Sequence, residues 1–207
     1  MVKVKICGIT NLEDAKNAAV AGCDALGFVF YKKSQRYVSP LQAAQIIKDL
    51  PDHAIPIGVF VDAKESFIKR IAKLCGLKML QFHGRESAQF CQRFKGYKII
   101  KAFRVKDKLD LKDISRYNVF AYLFDTYVPG KIGGTGKSLN WELVRHIHGL
   151  KRPVFLSGGL HAKNVEEAIR VARPDWVDAS STLETVPGKK DPRKVKKFIQ
   201  AVKNRER

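Results

Sequence analysis

Short runs of apolar residues alternate with segments of helical periodicity from one end of the chain to the other. The apolar runs are V-K-V-K-I (2–6), D-A-L-G-F-V-F (24–30), I-P-I-G-V-F-V (55–61), M-L-Q-F-H (79–83), K-I-I-K-A-F (98–103), V-F-A-Y-L-F-D (119–125), P-V-F-L-S (153–157) and W-V-D-A-S (176–180). Several are almost continuously apolar, as strands covered on both faces are. Between them stand helix signals. Thr10 with Glu13 predicts a capping box ahead of Leu12, Ala15, Ala18 and Ala19 on one face. Asp62 with Glu65 predicts another, ahead of Phe67, Ile68, Ile71 and Leu74. Ser39-Pro40 and Asp191-Pro192 supply an N-cap and a proline at the first helical position. Gly22, Gly76, Gly96 and Gly149 fall where helices should stop. A helix is also expected between 107 and 117. In the last helix Val195, Phe198, Ile199 and Val202 keep one side apolar and leave a basic outer face.

Eight strand–helix units predict an α/β fold, a (β/α)8 barrel occupying residues 1–207 as one domain. A doubly wound open sheet is the alternative, but its Gly-rich dinucleotide fingerprint does not follow the first strand, where the chain reads C-G-I-T-N-L. No apolar run approaches the roughly 20 residues that span a bilayer, which predicts no membrane partner. The N-terminus lacks a signal-like apolar region, which argues against export.

Charge and cysteine usage refine this picture. The formal net charge is +19, a field that favours anions. The basic residues are scattered and no nucleic-acid motif accompanies them, so a solvated basic surface is the preferred reading and nucleic acid is not the expected partner. The four cysteines, at 7, 23, 75 and 91, have no C-x-x-C spacing and read as reduced thiols of a cytoplasmic protein. Cys23, Cys75 and Cys91 fall in helices or at helix ends and read as structural.

In a barrel the chemistry lies at the C-terminal ends of the strands. Reading only those positions selects Cys7, the loop Tyr31 to Arg36, Asp62, His83, Arg104, Asp125, Ser157-Gly158-Gly159 and Asp178 to Thr182. The turns L-S-G-G (156–159) and D-A-S-S-T (178–182) follow strands seven and eight, where backbone N–H groups of many barrels hold phosphate. Cys7 and Asp125 end strands one and six. A substrate between them meets a base on one side and an acid on the other, provided the thiol pKa falls toward the working pH. Two features are set aside. G-G-T-G-K-S (133–138) resembles a P-loop, but the required first glycine falls at Lys131, so it reads as a Gly-rich loop able to fold over a ligand. H-I-H (146–148) points its two imidazoles apart on a helix, and no metal site is expected.

The motifs K-I-C-G-I-T, G-F-V-F-Y-x-x-S-x-R-Y, Q-F-H-G, L-F-D-T, G-G-T-G-K-S-L-N-W, L-S-G-G-L, D-A-S-S and P-G-K-K-D occur in this order along the whole chain. Together they closely resemble the phosphoribosylanthranilate isomerase family of tryptophan biosynthesis. The resemblance implies an intramolecular oxidoreductase (an aldose–ketose isomerase) that needs no cofactor and acts on the phosphosugar N-(5-phosphoribosyl)anthranilate, as a monomer or a homodimer. It implies Asp125 as general acid and Cys7 as general base. Arg36 would hold the anthranilate carboxylate, with His83 and Asp178 also in the substrate site. Gly158, Gly159, Ser180 and Ser181 would cradle the phosphate. One departure is Thr182, where the family usually has glycine. If the position needs a positive φ, threonine is strained there; if only its N–H is needed, the β-branched side chain crowds the phosphate; on either reading Thr182→Gly is expected to lower KM. Two alternatives are a sibling barrel isomerase acting on another phosphoribosyl aminoaldose, against which Cys7 argues, and a basic barrel that has lost catalysis and binds nucleic acid.

Overall fold

The computed structural model describes residues 1–105, 110–126, 141, 144 and 150–204. Eight parallel strands close into a barrel: β1 Lys3–Cys7, β2 Ala25–Val29, β3 Ile55–Phe60, β4 Met79–Phe82, β5 Lys98–Val105, β6 Ala121–Thr126, β7 Val154–Leu156 and β8 Trp176–Ala179. Each overlaps one of the eight apolar runs. Closure comes from β1 pairing with β8, with Lys3 opposite Trp176 and Lys5 opposite Asp178. Among the described residues the helices are α1 Leu12–Val20, α2 Pro40–Lys48, α3 Glu65–Leu74, α4 Ala88–Gln92, α5 Leu111–Ser115, α6 Val165–Ala172 and α7 Pro192–Lys203. The (β/α)8 barrel read from the sequence is the observed architecture. The Gly-rich loop 127–138, the P-loop-like 133–138, the H-I-H of 146–148 and the stop at Gly149 lie outside the described residues.

Two-residue periodicity divides each strand. Outward residues such as Val4, Ile6, Phe28, Leu80, Phe124 and Val177 pack beneath the helices in the larger apolar cluster. Inward residues such as Ile57, Met79, Ile100, Leu123, Phe155 and Trp176 fill the barrel in a second one. Phe155 stacks on Trp176 with ring centroids 4.7 Å apart. Above this floor Cys7, Val29 and Val59 form a third, small layer against Tyr31. The interior is therefore apolar below and reactive at its C-terminal mouth.

The caps hold as read at two helices and move at two others. Ser39 accepts from the Gln42 N–H and Asp191 from the N–H groups of Arg193 and Lys194. At α1 the cap is Asn11, not Thr10: its Oδ1 accepts from the Asp14 N–H at 2.8 Å, while the Thr10 hydroxyl donates to the Gly188 carbonyl. At α3 Lys64 stands at the cap with no side-chain bond. Asp62 is withdrawn to φ +48°, where its N–H donates to Glu86 and its Oδ1 accepts from the Arg85 N–H. In both places a tertiary bond outcompetes the local one. Gly22 and Gly76 take positive φ directly after the ends of α1 and α3, as expected, whereas Gly96, also at positive φ, lies beyond α4, which stops earlier, at Gln92. The helix expected over 107–117 is the short α5, capped by Asp110.

One element was absent from the reading of the sequence. After β8 a 3-10 turn at Ser181–Leu183 leads into a hairpin of β9 Glu184–Val186 and β10 Lys189–Lys190. These strands are three and two residues long, too short for a period to register.

Candidate active site

Parallel register places Cys7 beside Gly27, and Lys5 beside Ala25 on one side and Asp178 on the other. Inward positions at the strand ends thus converge on the barrel mouth. They line a cavity of about 550 Å³ that holds Cys7, His83, Asp125, Asp178, Ser180 and Arg36. Val29, Tyr31, Val59 and Val61 form its apolar wall. Asp125, Ser157, Asp178 and Ser180 also line a second hollow of about 280 Å³, which continues to Gly158, Gly159, Ser181 and Thr182. The structure therefore brings all nine predicted site residues to one mouth. Asp62 instead belongs to the loop network with Arg85 and Glu86.

Cys7 fits because of Gly27. A Cβ there would lie 2.7 Å from the Cys7 Sγ. Burial pushes the Cys7 thiol up, and the Lys5 ammonium, the strongest of the groups opposing burial, only partly offsets this. The expected depression of the thiol pKa is therefore not found: desolvation of the thiolate outweighs the positive field. Lys5 is fully buried beneath the thiol, with its Nζ 2.8 Å from Asp178 Oδ1. Burial alone would lower the lysine, but Asp178 and then Cys7 raise it, so the proton stays on the amine. The unsupported carboxylate would be costly there, and burial pushes Asp178 up against the pull of Lys5.

On the opposite side of the mouth, Asp125 Oδ1 accepts from the Thr126 N–H at 2.8 Å, and Oδ2 lies 3.3 Å from His83 Nε2. Gln81 Nε2 is 2.8 Å from His83 Nδ1. With the amide donating to Nδ1, the Nε2 edge of the ring faces Asp125 but makes no hydrogen bond among the described residues. Gln81 is one strand period from His83.

The end of the mouth expected to hold phosphate is built from two turns. Gly158 takes φ +98° and Gly159 φ +63°. A Cβ on Gly158 would collide with the Thr126 hydroxyl. Ser180 donates its hydroxyl to the Cys7 carbonyl at 3.0 Å, tying the turn after β8 to the end of β1. Thr182 is not among the positive-φ residues, so the strain expected of threonine is absent. Its hydroxyl donates instead to the Leu160 carbonyl and ties the two turns together.

Arg36 crosses Gly8, where a Cβ would lie 2.7 Å from the Arg36 Cδ. Its Nε and Nη2 fork onto Glu184 at 2.8 and 2.7 Å. Lys190 Nζ reaches the same carboxylate at 2.8 Å. Burial alone would raise Glu184, but Arg36 and Lys190 together hold its carboxyl below the usual range. Burial pushes Lys190 down.

Sequence reasoning missed Lys5, Gln81, Glu184 and Lys190. Lys5 and Gln81 were legible: each stands two residues before an inward-facing site residue, on the same strand face. Glu184 and Lys190 carried no such signal, because the hairpin that holds them follows no period. Among the described residues, no group of three or more His, Cys, Asp or Glu is placed to hold a metal ion, and no helix is long and apolar enough to cross a membrane.

Comparison with known proteins gives the same direction. The family model for N-(5'-phosphoribosyl)anthranilate isomerase matches residues 4–201. The chain is 47% identical over 203 residues to the N-(5'-phosphoribosyl)anthranilate isomerase of Pelobacter propionicus, covering 98% of this chain and 96% of that one. The crystal structure of phosphoribosyl anthranilate isomerase from Thermotoga maritima superimposes with a TM-score of 0.90 at 42% identity, over 99% of this chain and 100% of that one. A further solved isomerase, in complex with reduced 1-(o-carboxyphenylamino)-1-deoxyribulose 5-phosphate, gives 0.86 at 40% identity, over 99% and 100%. The match covers almost the whole chain in family model, relative and solved structure alike, and the chain belongs to the phosphoribosylanthranilate isomerase family.

Proposed function

We propose that the chain catalyses the Amadori rearrangement of N-(5-phosphoribosyl)anthranilate to 1-(2-carboxyphenylamino)-1-deoxyribulose 5-phosphate, the isomerase step of tryptophan biosynthesis, with Asp125 as acid and Cys7 as base. The observation that carries this reading is a pair of adjoining hollows that share Asp125, Ser157, Asp178 and Ser180, one lined by Cys7 and the other by Gly158, Gly159 and Ser181. The phosphate lies against Gly158, Gly159, Ser180 and Ser181, where two positive-φ glycines let backbone N–H groups converge. The anthranilate ring lies on the wall of Val29, Tyr31, Val59 and Val61, and Arg36 receives its carboxylate.

Asp125 gives its proton to the furanose ring oxygen, the C1–O bond breaks, and the nitrogen lone pair forms the C1=N bond of a cationic Schiff base. The Cys7 thiolate removes the C2 proton and the electron pair neutralises the iminium. The resulting enolamine gains a proton at C1 and loses one from the C2 hydroxyl to give the ketone. His83 stands beside Asp125, with Nε2 3.3 Å from Oδ2, and Lys5 offsets the charge of the Cys7 thiolate. Because burial disfavours that thiolate in the empty cavity, the cationic Schiff base is a further stabilising partner formed during turnover. No cofactor takes part.

The fluorescence decay of phosphoribosylanthranilate generated in situ tests this. Fast decay is expected with the wild type, and a loss of about 10²–10⁴-fold in both Cys7→Ala and Asp125→Asn. Full activity of Cys7→Ala would remove the thiol from the chemistry; no decay with folded wild type would remove the reaction. The working unit is a monomer or a homodimer, since one solved relative is described as dimeric, and sedimentation equilibrium separates the two. Four free cysteines support a cytoplasmic location, and the chain acts as the single domain 1–207. The scattered basic charge serves solvation rather than nucleic-acid binding.

A further inference from the structure

We propose that Glu184 is a positioning residue that holds Arg36 as a preformed carboxylate receptor, and so sets the preference for a carboxylated aryl amine. The inference rests on the reading above that Arg36 receives the substrate carboxylate. An arginine side chain has many rotamers, and ordering them during binding weakens binding. Here they are fixed in advance. Glu184 takes Nε and Nη2 in a two-pronged fork, the geometry guanidinium and carboxylate share. Nη1 makes no hydrogen bond among the described residues, and Arg36 lines the cavity. A second carboxylate can then bind the free edge.

Glu184 is itself held from behind. It is buried at the start of β9, opposite Lys190 on β10. Lys190 donates through Nζ to Glu184 and to the Ser180 carbonyl at 3.2 Å, and through its backbone N–H to Asp14 at 2.8 Å. The Gly188 carbonyl accepts from Thr10. The hairpin is thus clamped to the loop after β1, and Lys190 reaches the turn after β8. A buried ion pair does little for stability compared with apolar packing, and a two-stranded hairpin alone is marginal. Orientation of Arg36 is the consequence this arrangement does deliver.

The test compares phosphoribosylanthranilate with the phosphoribosyl derivative of aniline, which lacks the carboxylate, in wild type and Glu184→Gln. Glutamine keeps the shape but loses the charge-assisted fork. The wild type is expected to prefer the carboxylated substrate in kcat/KM, through KM. In Glu184→Gln that preference falls about 10- to 100-fold. An equal loss on both substrates, or no loss on either, overturns the proposal. If Glu184→Gln does not fold, Glu184→Gln with Lys190→Met removes the charged partner left behind, and the same ratio is read. A wild type that turns over both substrates equally sinks the receptor role of Arg36, and a wild type that turns over neither sinks the isomerase reading instead.

Discussion

Gly27 leaves the space that the Cys7 thiol occupies, so a single methyl group there is a direct probe of how finely the proposed base is placed. Gly27→Ala puts a Cβ within 2.7 Å of Sγ, and the strand backbone on both sides is hydrogen-bonded and cannot yield. The thiol must rotate or the strands must part. We expect kcat to fall by about 10²-fold or more, the scale on which a displacement of about 1 Å acts, while circular dichroism and the binding of a phosphosugar product analogue remain near wild type. An unchanged kcat would mean that the thiol position is not critical. Thr182 teaches the opposite lesson. From the sequence it looked like a strained substitute for glycine, but its backbone is ordinary and its hydroxyl joins two turns. Thr182→Gly therefore has no strain to relieve.

Strand β1 shows how one element carries both the reagent and its charge partner. Lys5 and Cys7 share a face because strand side chains repeat every two residues. Lys5 pulls the Cys7 thiol down more strongly than Asp178 pushes it up, yet burial outweighs both. Alkylation of Cys7 by iodoacetamide in the ligand-free protein should therefore rise with pH through a midpoint above the ordinary thiol value of 9.0. In a Lys5→Met, Asp178→Asn double variant, chosen so that no buried charge is left alone, the midpoint should move higher still. A midpoint below 9.0, or a downward shift in the variant, would contradict this account of the site. The alternation that reveals Lys5 was visible in V-K-V-K-I-C, but a lysine in an apolar run reads as an edge or a surface residue until the partner strand is known. Asp178 lies 173 residues away, and no local pattern announces a pair of that kind. The hairpin of Glu184 and Lys190 is hidden for a related reason. Its position is set by bonds to Asp14 and Thr10 at the other end of the chain, and not by any period of its own. Capping failed where a tertiary bond displaced the local one, as at Asp62, and held at Ser39 and Asp191, where none competed.

Across the whole molecule, the eight strands and the meeting of the nine expected residues at one mouth were legible because barrel topology turns strand order into spatial order. A strand-end position specifies a place at the mouth even when its neighbours there are remote in sequence. The interior also carries a pH signature. Burial pushes Cys23 up to about 12, and Cys75 and Cys91 up to about 11. A thiol with a raised folded-state pKa contributes stability in full below the ordinary value and loses it as pH climbs through the folded one. The urea midpoint should thus hold near about pH 8 and fall progressively above about pH 9 toward the limit of measurement. Cys23→Ala should flatten that fall; an equal slope in the variant would place the alkaline sensitivity elsewhere, for instance on Tyr117 and Tyr122, whose hydroxyls burial also pushes up.

The seam between β1 and β8 has one more consequence, in time rather than in space. Lys5 is synthesised 173 residues ahead of its anion, Asp178. Until then the interior would hold an ammonium with nothing opposite it, and the sheet would have an open edge at β1. Loop closure over such a separation is slow. A chain that has made only its early strands thus lacks both the partner of Lys5 and the strand that pairs with the open edge of β1. The ion pair beneath the thiol makes ring closure and site assembly one event, so a barrel that has closed already has its charge in place.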